Sequence, residues 1–87
     1  MNWRQIIDKY YSDNAELKDI LLCHSSAVAR KALDIAERHP ELNLDLNFIE
    51  EAAMLHDIGV IKTDAPDIKC YGHEPYIRHG VLGAEML

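Results

Sequence analysis

The chain has 87 residues, a formal net charge of -6, and 48% hydrophobic against 28% charged residues. That length holds at most one small domain, with a stability on the order of 5 kcal/mol, and the composition excludes general disorder. The acidic balance and scattered Lys and Arg residues argue against a nucleic-acid surface, and no stretch approaches the ~18 apolar residues of a membrane span.

The periodicity is helical throughout. Trp3, Ile6, Ile7, Tyr10 and Tyr11 recur at the spacing of an amphipathic opening helix. Ser12-Asp13-Asn14 reads as a turn, and a long helix follows from about Ala15 to His39, ended by Pro40. Its apolar face is expected to run through Leu17, Ile20, Leu21, Val28, Ala32 and Ile35, with His24 inside that face. A polar link, Glu41 to Asp45, leads to a third helix for which Asn47 and Glu50 have the spacing of a capping box. That helix is expected to turn Ile49, Ala52, Ala53 and His56 inward, with Asp57 at the edge. Ala52 and Ala53 are small enough to let another helix approach.

Val60 to Pro75 shows no sustained period and is expected to be a loop, long enough for so small a domain to suggest function. A last helix is predicted to begin near Pro75, with Tyr76, Gly80, Gly83 and Leu87 on one face and His79 at its edge. With no strand pattern or repeat, the fold class is all-α, a single domain over residues 1–87 of about four to five helices. Because Glu85-Met86-Leu87 stands in mid-helix without a cap, the domain is expected to be incomplete at its C-terminus.

The chemistry concentrates in His56-Asp57-Ile58-Gly59. A histidine beside an aspartate offers a neutral nitrogen and an anionic oxygen, both suited to a divalent cation. The doublet ends the apolar run Ala52-Ala53-Met54-Leu55, where ionisable groups are costly unless satisfied, and Gly59 is expected to stop the helix. His24 adds a second histidine on an apolar face, either a satisfied core residue or a ligand. His79 opens the last helix. Helices that project His and Asp into one interior are a common way to build metal sites.

This ordered set resembles the HD-domain superfamily of metal-dependent phosphohydrolases, in the variant called HDIG. Leu22-Cys23-His24-Ser25-Ser26-Ala27-Val28-Ala29 is similar to the superfamily's first-histidine helix, and Glu51 to Gly59 to its central helix. His79-Gly80-Val81-Leu82-Gly83-Ala84-Glu85-Met86-Leu87 is similar to the His-Gly segment that follows. The resemblance covers about residues 15 to 87 and implies an HD-like helical bundle. It implies His24, His56 and Asp57 as metal ligands, Asp57 also as the catalytic residue, and His79 and Lys62 as substrate-binding residues. The implied cofactor is a divalent metal ion (Mn, Fe, Zn, Mg, Co or Ni), and the implied reaction is hydrolysis of a nucleotide or other phosphate ester by metal-activated water. The superfamily completes its site with a second aspartate on a later helix, which no residue here supplies; Asp64 and Asp67 follow the doublet too closely. This motivates the alternative of a non-catalytic helical HD-like module for regulation or assembly.

The remaining candidates have plainer readings. His73-Glu74 and His79 lack the spacing of a zinc-protease helix, and Pro75 interrupts them. Cys23 and Cys70 form no CxxC pair and read as incidental thiols. With a start that lacks an apolar export run, they point to a reducing cytoplasm. Tyr71 and Tyr76 flank the long loop, where lining a substrate pocket and local packing are about equally expected. Gly80 and Gly83 read as packing positions rather than phosphate contacts, His39 as a structural helix end, and Glu50 or Glu51 as open outer acceptors for a histidine ligand. The partners expected are a small phosphorylated substrate, no membrane, and room for a homo-oligomer.

Overall fold

A computed structural model describes residues 2–87. Four α-helices carry the architecture: α1 (Trp3–Tyr11), α2 (Ala15–Arg38), α3 (Leu46–Leu55) and α4 (His79–Met86). The fold is all-α, as the periodicity predicts, apart from one short hairpin.

The opening helix forms as expected. Asn2 caps it by accepting from the Gln5 amide, and Asn14 does the same for α2 through the Leu17 amide. Ile7 and Tyr11 are buried by α1 against Leu17 and Leu21 of α2, Leu55 of α3, and Ile58, Val60 and Cys70 beyond it. Each large aliphatic or aromatic side chain so buried contributes about 1.5–3 kcal/mol. A smaller cluster of Ala29, Ala53 and Met54 marks the close crossing of α2 and α3.

The predicted face of α2 is rotated. Its buried residues are Leu17, Leu21, Ser25, Ala29 and Ala36, whereas Ile20 and Ile35 are exposed. Small residues let α3 approach on the Ser25–Ala29 side, so packing overrides bulk hydrophobicity. The start of α3 is also earlier than predicted: Asp45, not Asn47, is the cap, accepting from the Phe48 amide at 3.2 Å.

The expected loop is more ordered than its composition suggests. Ile58–Lys62 forms a 3-10 turn whose first three residues are buried, and β1 (Asp64–Ala65) pairs antiparallel with β2 (Cys70–Tyr71) around the 3-10 turn Pro66–Ile68. The Gly72 amide donates to Thr63, and the Glu74 amide donates to Lys62 at 3.0 Å. A Cβ on Gly72 would overlap the Lys62 carbonyl, so only glycine permits this approach. Pro75 precedes a 3-10 turn, Tyr76–Arg78, rather than α4 itself.

Gly59 does not stop a helix. The third helix already ends at Leu55, with His56 as its C-cap, and Gly59 lies inside the 3-10 turn. Its role is contact: a Cβ there would overlap the His79 carbonyl oxygen and the Gly83 amide nitrogen. Two backbones meet at Gly59 and Gly83, and the start of α4 is thereby laid over the segment that follows Asp57. Around Gly80 a Cβ would meet nothing within 4 Å.

From beneath, α1 holds the same segment. The Tyr11 hydroxyl, fully buried, donates to the Ile58 carbonyl at 2.6 Å, and Tyr10 donates to the Met86 carbonyl at 3.0 Å. Burial pushes the Tyr11 hydroxyl's pKa up from the ordinary tyrosine value.

Gly59→Ala is expected to cost about 2 kcal/mol or more by forced repacking, whereas Gly80→Ala should stay within about 1 kcal/mol of the parent; urea unfolding checks both. Tyr11→Phe removes the buried hydrogen bond to the Ile58 carbonyl and should cost about 0.5–1.5 kcal/mol. Because the folded state keeps the Tyr11 proton, that residue's stabilisation is complete below pH ~10 and is lost as pH rises above it. Stability measured from pH 8 to 11 should therefore fall more steeply in the parent than in Tyr11→Phe.

Candidate metal centre

Where α3 ends, the chain bends sharply. His56 keeps helical angles, and Asp57 moves to φ -109°, ψ 15°, a sparsely populated region between helix and strand. This bend turns the Asp57 carboxylate toward α2 on one side and α4 on the other.

Three imidazoles converge on that carboxylate. His24 Nε2 lies 3.2 Å and His56 Nε2 3.0 Å from Oδ2, while His79 Nε2 lies 3.3 Å from Oδ1. The His24 and His56 rings are 5.4 Å apart, tilted by 47°. Among the described residues, His24, His56 and Asp57 form the one trio of His, Cys, Asp or Glu whose ligand atoms all lie within 4.8 Å of one another. The structure thus brings together His24, His56, Asp57 and His79 from three helices and the bend between them. Lys62 lies exposed at the end of the 3-10 turn.

The expectation that His24 and His56 point into the interior is corrected. The His24 side chain is 56% accessible and that of His56 36%, while Asp57 is the more enclosed at 22%. Rotation of the buried face of α2 toward Ser25 leaves His24 at the rim. The centre is an open bowl with a half-buried carboxylate at its floor.

Hydrogen bonding fixes two of the ring tautomers. His56 Nδ1 faces the Ala53 carbonyl, and His79 Nδ1 faces the Tyr76 carbonyl at 2.8 Å. A carbonyl only accepts, so each Nδ1 carries a proton and the neutral ring presents a bare lone pair at Nε2. The acceptors that orient these rings are therefore backbone carbonyls. Spacing alone leaves Glu50 and Glu51 open for that task; the three-residue helical offset from Ala53 to His56 and from Tyr76 to His79 is the signal that points to the carbonyls.

Imidazole nitrogens 3.0–3.3 Å from carboxylate oxygens are joined by a cation between them, either a proton on Nε2 or a metal ion that replaces it. Two nitrogens and one oxygen form a mixed donor set of the kind that holds a borderline divalent ion. One negative charge in that set leaves such an ion with positive charge to spare. The residues present fit a divalent metal at His24, His56 and Asp57. Both cysteines stand apart from this trio: Cys70 is buried, with its thiol pKa pushed up by burial, and Cys23 is exposed and unbridged.

The HD-domain family model matches residues 21–87, most of the chain and every member of the cluster. The chain belongs to the HD-domain family. Comparisons with curated proteins and with solved structures returned no match. The family is generally one of metal-dependent hydrolases that bind divalent metals, which agrees with the donor set in this HD domain. Its match begins inside α2, so α1, which supports the bend through Tyr11, lies outside the matched region.

Metal content of the purified HD domain should be lost in His56→Ala and in Asp57→Ala and retained in His39→Ala, whose ring pairs instead with Glu41 at 2.9 Å. Bound at 100 times its dissociation constant, the metal should stabilise the parent by about 2.7 kcal/mol. Equal metal content in the parent and both cluster variants would contradict the assignment.

Proposed function

We propose that the protein is a metal-dependent phosphohydrolase that cleaves a nucleotide or another phosphate ester. The observation that carries this reading is the convergence of three imidazole Nε2 atoms on the Asp57 carboxylate at an open surface. His24, His56 and Asp57 hold the divalent ion, which supplies polarisation of a phosphoryl oxygen and activation of water.

The chain's own residues do the rest. Asp57 is shared between the ligand histidines on Oδ2 and His79 on Oδ1, so it orients both sides of the bowl. His79, its Nδ1–H anchored on Tyr76, directs Nε2 to the bowl, where in its protonated form it donates to a phosphoryl oxygen. Lys62 supplies a second cation for the phosphate on a molecule whose net charge is -6. The openness of the bowl admits substrate directly from solvent.

The same openness supports a second reading, a non-catalytic HD-like module for regulation or assembly. Among the described residues the trio contains a single carboxylate, and its His24 is more than half exposed. For the compartment we propose the cytoplasm, where an exposed, unbridged Cys23 stays reduced. No helix among the described residues is long and apolar enough to cross a membrane.

A panel of nucleotides and simple phosphate esters, assayed with added Mn2+, separates the two. Hydrolysis by the parent, lost at least 10²-fold in Asp57→Ala, supports the hydrolase. For Lys62→Ala the expected effect is a rise in KM with kcat largely kept, as for a binding contact. Metal binding without turnover of any panel member would favour the regulatory module.

A further inference from the structure

One cavity that reaches the metal centre is apolar. Ile20, Val60, Ile68 and Tyr76 line it, and His24 and Asp57 border it. Its volume is about 170 Å³, and cavities on the order of 150 Å³ with aliphatic and aromatic walls accept a benzene-sized ring. Ile20, Ile68 and Tyr76 remain 41%, 37% and 45% exposed, so a ligand that covers them gains apolar burial the protein alone does not make. The Tyr76 ring also lies against the His79 imidazole, with centroids 4.7 Å apart, so this wall is continuous with the bowl.

A larger hollow of about 360 Å³ lies between α3 and α4, but it touches the trio at His56 alone and has Glu51 on its wall. A carboxylate there opposes a phosphoryl group. The smaller cavity brings no charged side chain beyond His24 and Asp57 themselves. Its aliphatic walls also offer no partners to the hydroxyls of a polyol ester, which would lose their water unpaired.

We infer that this cavity is a subsite for one planar ring carried beside the phosphoryl group, so that the preferred substrates are phosphate esters of a single aromatic or heteroaromatic ring. The inference rests on reading the cluster as a centre that binds phosphoryl groups. Ile20 and Ile68 set the preference, and Tyr76 packs against the ring while holding His79.

The test is calorimetric titration of the full chain, with Mn2+ present, by phenylphosphonate and by methylphosphonate. The two share the same anionic head and neither is hydrolysed. Phenylphosphonate is expected to bind roughly tenfold more tightly. In Ile20→Ser and Ile68→Ser that ratio should fall towards one while metal content is unchanged. Equal affinity in the parent overturns the subsite and leaves the phosphohydrolase reading standing, and a ratio kept in both variants also overturns it by placing the ring elsewhere. Binding of neither phosphonate overturns both readings.

Discussion

The backbone contact between Gly59 and Gly83 is the constraint on which the rest depends. With no side chain at either position, the start of α4 lies directly on the 3-10 turn that follows Asp57. That contact carries His79 to within 3.3 Å of the Asp57 carboxylate from the far side of the His24–His56 pair. Remove it, and the carboxylate keeps two imidazoles and loses the third. The glycine of the His-Asp-Ile-Gly run thus positions a residue twenty positions later in the chain.

Support for the same bend comes from the first helix. Tyr11 holds the Ile58 carbonyl from the core and Tyr10 holds the last turn of α4, so the short opening helix clamps both elements that meet at the centre. The clamp is costly to break because the Tyr11 hydroxyl and the Ile58 carbonyl are sealed from water. Rigidity below and openness above are both useful to a metal site, since the donors stay oriented while ligands enter from solvent.

Much of this was legible in the residues. Helical periodicity gave the all-α class, the amphipathic opening helix and the long second helix, because a 3.6-residue repeat is a local property. The histidines and the aspartate stood out because ionisable groups beside apolar runs need a reason. What the pattern misplaced depends on contacts between distant segments. His24 looked buried by its place among Leu21 and Val28, yet the small Ser25 and Ala29 draw α3 to another side of α2 and leave the imidazole at the rim. Gly59 read as a helix stop because its contact with Gly83 is invisible locally. Asp45 and Asn47 are both good caps, and the chain uses the earlier one. The hairpin around Pro66 has two-residue strands, too short for any alternation to register.

The proposed centre depends on neutral His24 and His56 presenting bare Nε2 atoms to one cation beside Asp57. Long-range 1H–15N spectra of the histidine side chains, recorded as Zn2+ is added, test it most directly. His56 and His79 are expected to begin as Nδ1–H tautomers, and Nε2 of His24 and His56 to shift to the coordinated range, with His39 and His73 unmoved. Unchanged His24 and His56 resonances at saturating metal, or an Nε2–H tautomer at His56, would contradict it.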